Sequence, residues 1–499
     1  MTARRWTLVF LGVNLAWRLV RYALDFPIWG DEARVAVNFF DRGLKELMQP
    51  LDYLQVVPIG FLWAEWGMSR VFGLGEYALR FLPVVAGVAS LFVFRRLAEK
   101  TLDRTGAVCA LALFAASYYP VRHATEVKSY SIDLLAGTVL LLQGTRLLEG
   151  ARVWPFALTA AIFAWWSYPS VFVAGGIVAV VWLHRRDPRL VAAGFAFTAS
   201  FAVMYLLVGA TQASAGTFHL TSSHWEDAFP PLREFWRLPL WLLDMHTGNM
   251  FAYPNGGNNF GSTATFLLFC MGVYTLWRTR RRLLLALLLS PFPIMFLAAA
   301  LHKYPYGGSA RITQQIAPVI CLVVGAGIPG IAFALRKPQV PKIWYALMLL
   351  FAVGGLVRDI VKPYKHEADA AARTALAEIG TLPETRWVVF AALERSPFAP
   401  TLPLTKDGEG WGGTWARTHY YILRNGPPDL RFAPDPAMVE PGGPTLLLTY
   451  RDNGDPFPDE QFARYRDRLE AGRGEPTEIR RIPLRERKPE ALGVFRYSR

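Results

Sequence analysis

Long apolar runs constrain this chain more than any other feature of its sequence. Several runs exceed the roughly 18 apolar residues that are typical of a membrane-spanning helix. Hydrophobic residues make up 53% of the 499 positions, and the mean hydropathy is +0.23. The sequence therefore predicts a polytopic α-helical membrane protein with about eleven transmembrane helices. The predicted helices lie at 6–24, 79–97, 105–120, 129–148, 153–167, 169–185, 189–209, 262–278, 282–301, 312–334 and 341–361.

Basic residues predict the orientation of these helices. The chain carries 53 Lys and Arg against 39 Asp and Glu, a net charge of +14. They cluster in short loops such as 95–104, 184–189 and 278–282, which all fall on one side of the membrane if the predicted helices are right. The positive-inside rule then places the N-terminus in the cytoplasm. The chain is predicted to be a multi-pass protein of the inner or plasma membrane. The segments predicted to lie outside are 25–78, 119–128, 210–261, 302–311 and the chain after 362.

The first outer loop, 25–78, contains two further segments that are predicted to be helical without crossing the membrane. Residues 53–72 are long enough to span, but a span there would reverse the charge pattern of every later loop. We therefore predict an interfacial or re-entrant helix. Residues 32–47 place apolar side chains at helical spacing and charges on the opposite face, which predicts a helix lying in the membrane surface.

The composition changes near residue 365, which predicts two domains. Residues 1–364 form the transmembrane domain, and residues 365–499 form a small extracytoplasmic α/β domain. Dense Pro, Gly and Asp predict long loops over 397–443. Helices are expected at 366–380 and 459–471, and strands at 386–392, 445–451, 478–484 and 491–498.

The acid pair Asp31 and Glu32 opens the first outer loop, within WGDEARVAVNFF. Asp is a favoured helix N-cap, and acidic side chains in a first turn suit the helix dipole. A fixed carboxylate at a membrane face is also well placed to act as a general base. The residues alone leave both interpretations open.

A second candidate segment is YYPVRHATEVKSYSID, at 118–133. If the next helix began near Thr125, Glu126, Tyr130 and Asp133 would lie on one face. Ionisable residues at such a depth suggest function, although ion pairs that only stabilise the fold are the alternative. The segment also carries Arg122 and Lys128.

A third segment, HKYPYGGSARITQQIAP at 302–318, carries Lys303, Tyr306 and Arg311. Arg can bind a phosphate through two parallel hydrogen bonds, but basic side chains near helix ends also snorkel to the interface. The loop 210–261 holds His219 and His224 without a diagnostic ligand spacing, which favours a solvated loop. No cofactor is required by these patterns; a divalent metal ion is compatible with them, and its ligands are unknown.

Five stretches carry a family resemblance. WGDEAR, PLDYLQVVPIGFLWAE (50–65) and EYALRFLP (76–83) resemble the GT-C integral-membrane glycosyltransferases, as do EVKSYSID and YPYGGSAR. The family 39-like group is the most similar. It contains protein mannosyltransferases, lipid A aminoarabinose transferases and lipopolysaccharide-core transferases of rhizobia.

The resemblance implies a polyprenyl-phosphate sugar donor and transfer on the outer or periplasmic side. It implies that Asp31 is the catalytic carboxylate with Glu32 beside it, and Arg34 matches a basic residue that often follows. Aminoarabinose transferases hold the donor phosphate partly with a Lys-Pro-Pro element, where this chain has Gln55. Gln55 can contact substrate but cannot supply that charge, so Lys128, Arg122 or Arg311 would have to replace it.

The function predicted from these features is inverting transfer of a sugar to an acceptor hydroxyl, with Asp31 as the base. The partners would be the lipid-phosphate donor, a lipid, glycan or protein acceptor, and membrane lipids, but no nucleic acid. One alternative is a flippase or transporter of lipid-linked glycans. A transporter would need charges through the midplane of its helices, whereas here they gather near the predicted outer ends. Another alternative is a non-catalytic scaffold in which Asp31 only caps a helix.

Overall fold

The computed structural model describes residues 2–213, 225–256, 261–380, 387–390, 411–426, 431–433, 445–451, 477–483 and 491–497. Its first ten helices are α1 (Ala3–Ala23), α2 (Gly30–Ala36), α3 (Asn38–Asp41), α4 (Ile59–Phe72), α5 (Glu76–Thr101), α6 (Arg104–Ala116), α7 (Tyr118–Arg122), α8 (Tyr130–Leu148), α9 (Trp154–Trp166) and α10 (Ser170–Arg185). The later helices are α11 (Pro188–Met204), α12 (Ala210–Gln212), α13 (Leu238–Thr247), α14 (Gly261–Arg278), α15 (Arg282–Leu289), α16 (Pro291–Ala300), α17 (Ala317–Ala334), α18 (Val340–Val361), α19 (Glu367–Gly380) and α20 (Trp411–Asn425).

The apolar segments of the sequence are helical, as predicted. Each of the eleven predicted spans coincides with one or two of these helices. Within the described ranges, six helices are long and apolar enough to cross a membrane. They are Glu76–Thr101, Tyr130–Leu148, Pro188–Gln212, Arg282–Ala300, Gln314–Ala334 and Val340–Val361. Three shorter apolar helices, α6, α9 and α10, accompany them.

The chain divides into two compact units. Unit 1 comprises Met1–Leu24, Val56–Glu65 and Arg80–Val361, and unit 2 comprises Asp25–Gln55, Trp66–Leu79 and Lys362–Arg499. This division differs from the predicted boundary at 364/365, because most of the first outer loop groups with the C-terminal residues. The reason is that α2 of this loop packs against α20.

Helices α6 and α17 form the core of unit 1. Every residue of α6 from Gly106 to Ala116 is buried, and so is every residue of α17 from Ala317 to Ile328. Small residues let the backbones approach closely, since a Cβ on Gly325 would lie 2.5 Å from the Cβ of Ala110. Such contacts between small residues are typical of helices that pack within a membrane.

A buried polar network surrounds the C-terminal half of α1, also within unit 1. Asn14 Oδ1 accepts a hydrogen bond from Arg18 Nε at 2.8 Å, and Arg18 Nη1 donates to the carbonyl of Pro120 at 3.0 Å. Arg21 forms a 2.8 Å ion pair with Asp359 of α18. Trp17 Nε1 donates to the same carboxylate at 2.8 Å. The network ties α1 to α18 and to the segment after α6.

Unit 2 contains a mixed β-sheet. Its strands are β1 (Trp387–Phe390), β2 (Arg431–Ala433), β3 (Thr445–Arg451), β4 (Thr477–Pro483) and β5 (Ala491–Tyr497), in the spatial order β2-β1-β3-β5-β4. The β1 strand pairs in parallel with β2 and β3, whereas β5 pairs antiparallel with β3 and β4. Strands β1, β3, β4 and β5 coincide with the four predicted strands, where β-branched and aromatic residues are frequent. Helix α19 coincides with the predicted helix at 366–380.

Two secondary-structure predictions for unit 2 are wrong. The predicted helix at 32–47 ends early, because Arg42 is extended and its side chain bonds the Pro50 carbonyl at 2.8 Å and Asp52 at 2.8 Å. The predicted long loops at 397–443 contain α20 and β2, because α20 buries a helical stripe that includes Ala416, Tyr420 and Tyr421. The predicted helix at 459–471 lies outside the described residues.

Candidate functional site

The acid pair lies in the first turn of α2, in unit 2, where the two carboxylates differ. Glu32 is buried, and its Oε2 accepts a hydrogen bond from the backbone N–H of Trp29 at 3.4 Å. It therefore closes the start of its own helix, as a capping side chain does. Asp31 is half-buried in the same turn. The capping role expected for Asp31 belongs instead to Glu32.

The start of α2 is anchored within unit 2. The backbone N–H of Ile28 donates to the Tyr421 hydroxyl at 2.8 Å, and this hydroxyl donates to Glu76 at 3.1 Å. Glu76 is itself buried and paired with Arg424. These contacts hold the residues before Asp31, and a carboxylate on a held backbone has a defined position.

Two other predicted substrate contacts, Arg34 and Gln55, lie near Tyr53. Gln55 Nε2 donates to the carbonyl of Tyr53 at 2.9 Å, and the Tyr53 hydroxyl lies 3.1 Å from His419 Nδ1. Burial and the charge of Asp52 raise the pKa of Tyr53, and Arg34 acts in the opposite direction. Burial lowers the pKa of His419 to about 3, so Tyr53 and His419 are both neutral at pH 7.

A cluster in unit 1 is built on the segment between α6 and α8. Arg122 Nε donates to Glu126 Oε1 at 2.7 Å, while His123 Nδ1 lies 2.6 Å from Glu126 Oε2. All three side chains are buried or nearly so. Glu126 thus fixes both neighbours, and His123 Nε2 has no hydrogen-bond partner among the residues that the structure describes. A carboxylate that orients an imidazole in this way is a common arrangement for a general base.

The electrostatics of this cluster keep His123 neutral. Burial lowers the pKa of His123, opposed by Glu126 and assisted by the positive charges of Arg122 and Arg311. The ring also contacts Tyr130, with centroids 4.9 Å apart. A neutral imidazole can accept a proton at physiological pH. His123 is not among the site residues predicted from the sequence, although its spacing of three from Glu126 is a usable signal.

The predicted shared face of Glu126, Tyr130 and Asp133 is wrong. Helix α8 begins at Tyr130 rather than near Thr125, and Glu126 has an extended backbone. Tyr130 and Asp133 are in its first turn, and the Asp133 side chain is buried. Lys128, between them and Glu126, is buried as well.

The segment 302–316 contributes Arg311 to the same cluster. The Arg311 guanidinium lies over the ring of Trp225, 5.1 Å from its centroid, and its charge acts on His123. Tyr304 is within electrostatic reach of Asp133 and Tyr130, and burial raises its pKa well above the usual value. The polar segments 118–133 and 302–318 therefore approach each other within unit 1.

The remaining candidates of this segment lie elsewhere. The Tyr306 hydroxyl is 3.4 Å from His246 Nε2, and its ring packs with Trp241 and Phe296. Lys303 is exposed. Among the described residues, no three side chains of His, Cys, Asp or Glu come together as a metal-binding group. His219 and His224 lie outside the described ranges.

Comparisons with known proteins identify the type of fold that the chain adopts. No protein-family model matches the chain, and no curated protein matches its sequence. ArnT from Cupriavidus metallidurans bound to undecaprenyl phosphate superposes with a TM-score of 0.56 at 14% identity, over 99% of this chain and 98% of ArnT. The apo ArnT structure gives 0.55 over the same shares. The fold is GT-C-like.

A second solved structure agrees with this fold. The Archaeoglobus fulgidus oligosaccharyltransferase, in its complex with Zn and sulfate, superposes with a TM-score of 0.50 at 13% identity. The match covers 94% of this chain and 70% of that protein. Together with the six described helices that are long and apolar enough to cross a membrane, these similarities confirm the prediction of a polytopic α-helical membrane protein with a GT-C-like fold. The predicted number of eleven spans and the extracytoplasmic side of the C-terminal domain stay predictions.

Proposed function

We propose that this GT-C-like protein is a glycosyltransferase that uses a polyprenyl-phosphate sugar as donor. The observation that carries the proposal is the superposition on ArnT over nearly the whole of both chains, with ArnT in a state bound to undecaprenyl phosphate. The acceptor is a hydroxyl group of a lipid, glycan or protein on the outer or periplasmic face. The positive-inside pattern supports that side of the membrane.

We assign the role of general base to Asp31. Its carboxylate removes the proton of the acceptor hydroxyl, and the oxygen attacks the anomeric carbon. The bond between that carbon and the phosphate oxygen breaks, and polyprenyl phosphate leaves with the electron pair. One displacement inverts the anomeric centre. The half-buried position of Asp31 on an anchored turn supports this role, and Glu32 supports the turn as its cap.

Lys128, Arg122 and Arg311 are proposed to hold the donor phosphate. Arg122 also binds Glu126 at 2.7 Å. The Trp225 ring beneath Arg311 orients the plane of the guanidinium, and an oriented guanidinium binds phosphate through its edge. Arg34, Gln55 and Tyr130 remain proposed substrate contacts.

His123 is the competing candidate for the base, because Glu126 orients its imidazole. The two assignments are separated by Asp31→Asn and His123→Gln in purified protein, with a synthetic polyprenyl-phosphate sugar and release of polyprenyl phosphate as the readout. Loss of a general base costs about 10²–10⁴-fold in rate. We expect that loss in Asp31→Asn and a smaller one in His123→Gln. Asp41→Asn, at an exposed acid of the same loop, is the matched control and should retain the wild-type rate.

The outcomes of this assay are distinct. Near-normal turnover by Asp31→Asn, with a large loss in His123→Gln, would transfer the base assignment to His123. The assay is run in detergent micelles, where there are no two membrane sides, so any transfer product excludes pure transport. If no lipid-phosphate sugar is turned over by the wild-type protein, the flippase alternative takes precedence.

A further inference from the structure

A cavity of about 390 Å³ lies among the first turns of α1, the last turns of α5 and the first turns of α6. We call it the N-terminal cavity; all of its lining residues belong to unit 1. It is formed at the end of α1 that carries the N-terminus, whereas Arg122, His123 and Glu126 follow the opposite end of α6. The proposed transfer reaction therefore gives this cavity no role.

The lining of the cavity carries an excess of positive charge. Arg4, Arg95 and Arg104 contribute to it, against the single carboxylate of Glu99. Arg95 Nε is bound to Glu99 at 2.9 Å, so these two charges offset each other. Arg4 and Arg104 are exposed, and neither takes part in an ion pair within the described part of the chain. Arg4 and Arg104 are thus available to a ligand, with the exposed carboxylate of Asp103 next to Arg104 in the sequence.

The arginines of this cavity lie where helices begin. Arg4 is in the first turn of α1, and Arg104 is the first residue of α6. The N-terminus of α6 is capped by Asp103, which accepts a hydrogen bond from the backbone N–H of Thr105 at 3.2 Å, and α5 ends at the same cavity. The helix ends therefore add no net preference for anions, and the preference rests on the arginine side chains.

The floor of the cavity is apolar. It is formed by residues such as Leu102, Ala107, Val108 and Leu111. Leu111 is seven residues beyond Arg104, which corresponds to about 10 Å along the helix axis. The cavity therefore has a charged entrance and an apolar interior, a combination that fits a charged headgroup joined to a hydrocarbon chain better than a free ion.

Aromatic residues near this entrance support its assignment to a membrane interface. Trp6 packs on Tyr345 with ring centroids 5.2 Å apart, and the Tyr345 hydroxyl donates to the carbonyl of Thr105 at 3.4 Å. Trp and Tyr are enriched where a membrane meets water. Leu8, one turn from Arg4, is 56% exposed, as expected for a side chain that faces lipid.

We propose that the N-terminal cavity binds an anionic phospholipid of the leaflet on that side, which the positive-inside pattern assigns to the cytoplasm. The lipid phosphate is held by Arg4 and Arg104, and the first part of an acyl chain lies along Val108 and Leu111. Basic pockets between transmembrane helices commonly bind anionic headgroups on that side of a membrane.

The test measures lipid affinity of the full-length protein in neutral detergent by native mass spectrometry. Phosphatidylglycerol is titrated against the wild-type protein and against the double variant Arg4→Gln, Arg104→Gln. Each arginine near an anionic headgroup contributes about five-fold, so the double variant should bind about thirty-fold more weakly. Phosphatidylcholine, which has no net charge, should bind both proteins weakly and equally.

The matched control is the double variant Arg146→Gln, Arg152→Gln. It removes the same charge from exposed arginines on the same predicted side, and none of these positions lines the cavity. The control should keep the wild-type affinity. An equal loss in both double variants would assign the effect to surface charge, and no loss in either would overturn the site.

Two further measurements are needed. The first distinguishes a lipid phosphate from free inorganic phosphate, and the second tests the proposal in the unmodified protein, without relying on variants that fold. If inorganic phosphate displaces phosphatidylglycerol at comparable concentration, the cavity is an anion site and the lipid proposal is wrong. In the unmodified protein, a phosphatidylglycerol with a photoreactive headgroup should label peptides of α1 and α6. Labelling confined to other helices would contradict the proposal even if the variants fail to fold.

Discussion

The two ends of α1 both carry arginines, but the surroundings of these arginines differ. At the C-terminal end, Arg18 and Arg21 are buried among hydrogen-bond acceptors and the carboxylate of Asp359. At the N-terminal end, Arg4 is exposed beside a cavity with excess positive charge. The buried arginines fasten helices together, whereas the exposed one is available to a ligand.

The difference shows that a charged residue in an apolar helix can have one of two roles: it can stabilise the fold or it can bind a ligand. A buried charge is costly unless it is paired and hydrogen-bonded, so its removal should unfold the protein rather than change what it binds. A half-solvated charge contributes little to stability and can exchange partners. Substitutions at the buried end should therefore change stability more than ligand affinity. Substitutions at the exposed end should change ligand affinity more than stability.

The largest expected effect on stability is at the buried, C-terminal end of α1. Asp359→Ala leaves the Arg21 guanidinium and the Trp17 N–H without the carboxylate that now binds both at 2.8 Å. Breaking a buried ion pair by removing one partner costs about 3–5 kcal/mol. Thermal and denaturant unfolding in detergent should show that loss. Glu149→Ala, which removes a carboxylate 62% exposed from its pair with Lys100, is the control and should cost under about 1 kcal/mol.

Similar losses in Asp359→Ala and Glu149→Ala would show that the buried network does not stabilise α1. A loss confined to Asp359→Ala would support the distinction between the two ends.

A smaller effect on stability is expected in the segment that contacts the C-terminal end of α1. His123 lies between Pro120 and Thr125, which accept hydrogen bonds from Arg18 and Arg21. Burial lowers the pKa of His123, despite Glu126. The unfolded chain, with a His pKa of about 6.5, therefore binds more protons than the folded one as the pH falls. Stability contributed by neutral His123 is full above about pH 6.5 and decreases below it.

The measurement is the unfolding temperature of wild-type protein and His123→Gln at pH 7.5 and 5.5. The decrease between the two pH values should be smaller in His123→Gln, because Gln does not titrate. His184→Gln, at an exposed histidine, should behave as the wild type does. An unchanged pH dependence in His123→Gln would mean that His123 is not the group that loses stability in acid.

The sequence predicts the helices well because long apolar runs leave few alternatives in a membrane. The acid pair and the two polar loops were also visible as ionisable residues beside such runs. Pairings between residues that are far apart in the sequence are not visible in it, and the ion pair between Arg21 and Asp359 is an example. The signal was partial: Asn14, Arg18 and Arg21 recur at helical spacing on α1, but nothing in the sequence identifies the partner on α18.

The errors have local physical causes. Glu126 does not share a helical face with Tyr130 and Asp133, because α8 begins at Tyr130, in agreement with the predicted span 129–148, and Glu126 is extended and binds Arg122 and His123. Helix α20 is not predicted because Pro, Gly and Asp are dense over 397–443, whereas burial of its residues within unit 2 outweighs their low helix propensity. Local side-chain contacts explain the first case, and burial within unit 2 explains the second.

The smallest expected effect on stability is at the exposed end of α1. Glu99→Gln breaks the pair with Arg95, whose two side chains are 40% and 48% exposed. Such a pair at i,i+4 is worth about 0.3–0.5 kcal/mol, so the unfolding temperature should hardly change. The same change adds one net positive charge to the N-terminal cavity, which should raise phosphatidylglycerol affinity by up to about five-fold. A large loss of stability, or unchanged lipid affinity, would mean that Glu99 and Arg95 act as a structural pair like Arg21 and Asp359, and the contrast between the two ends would fail.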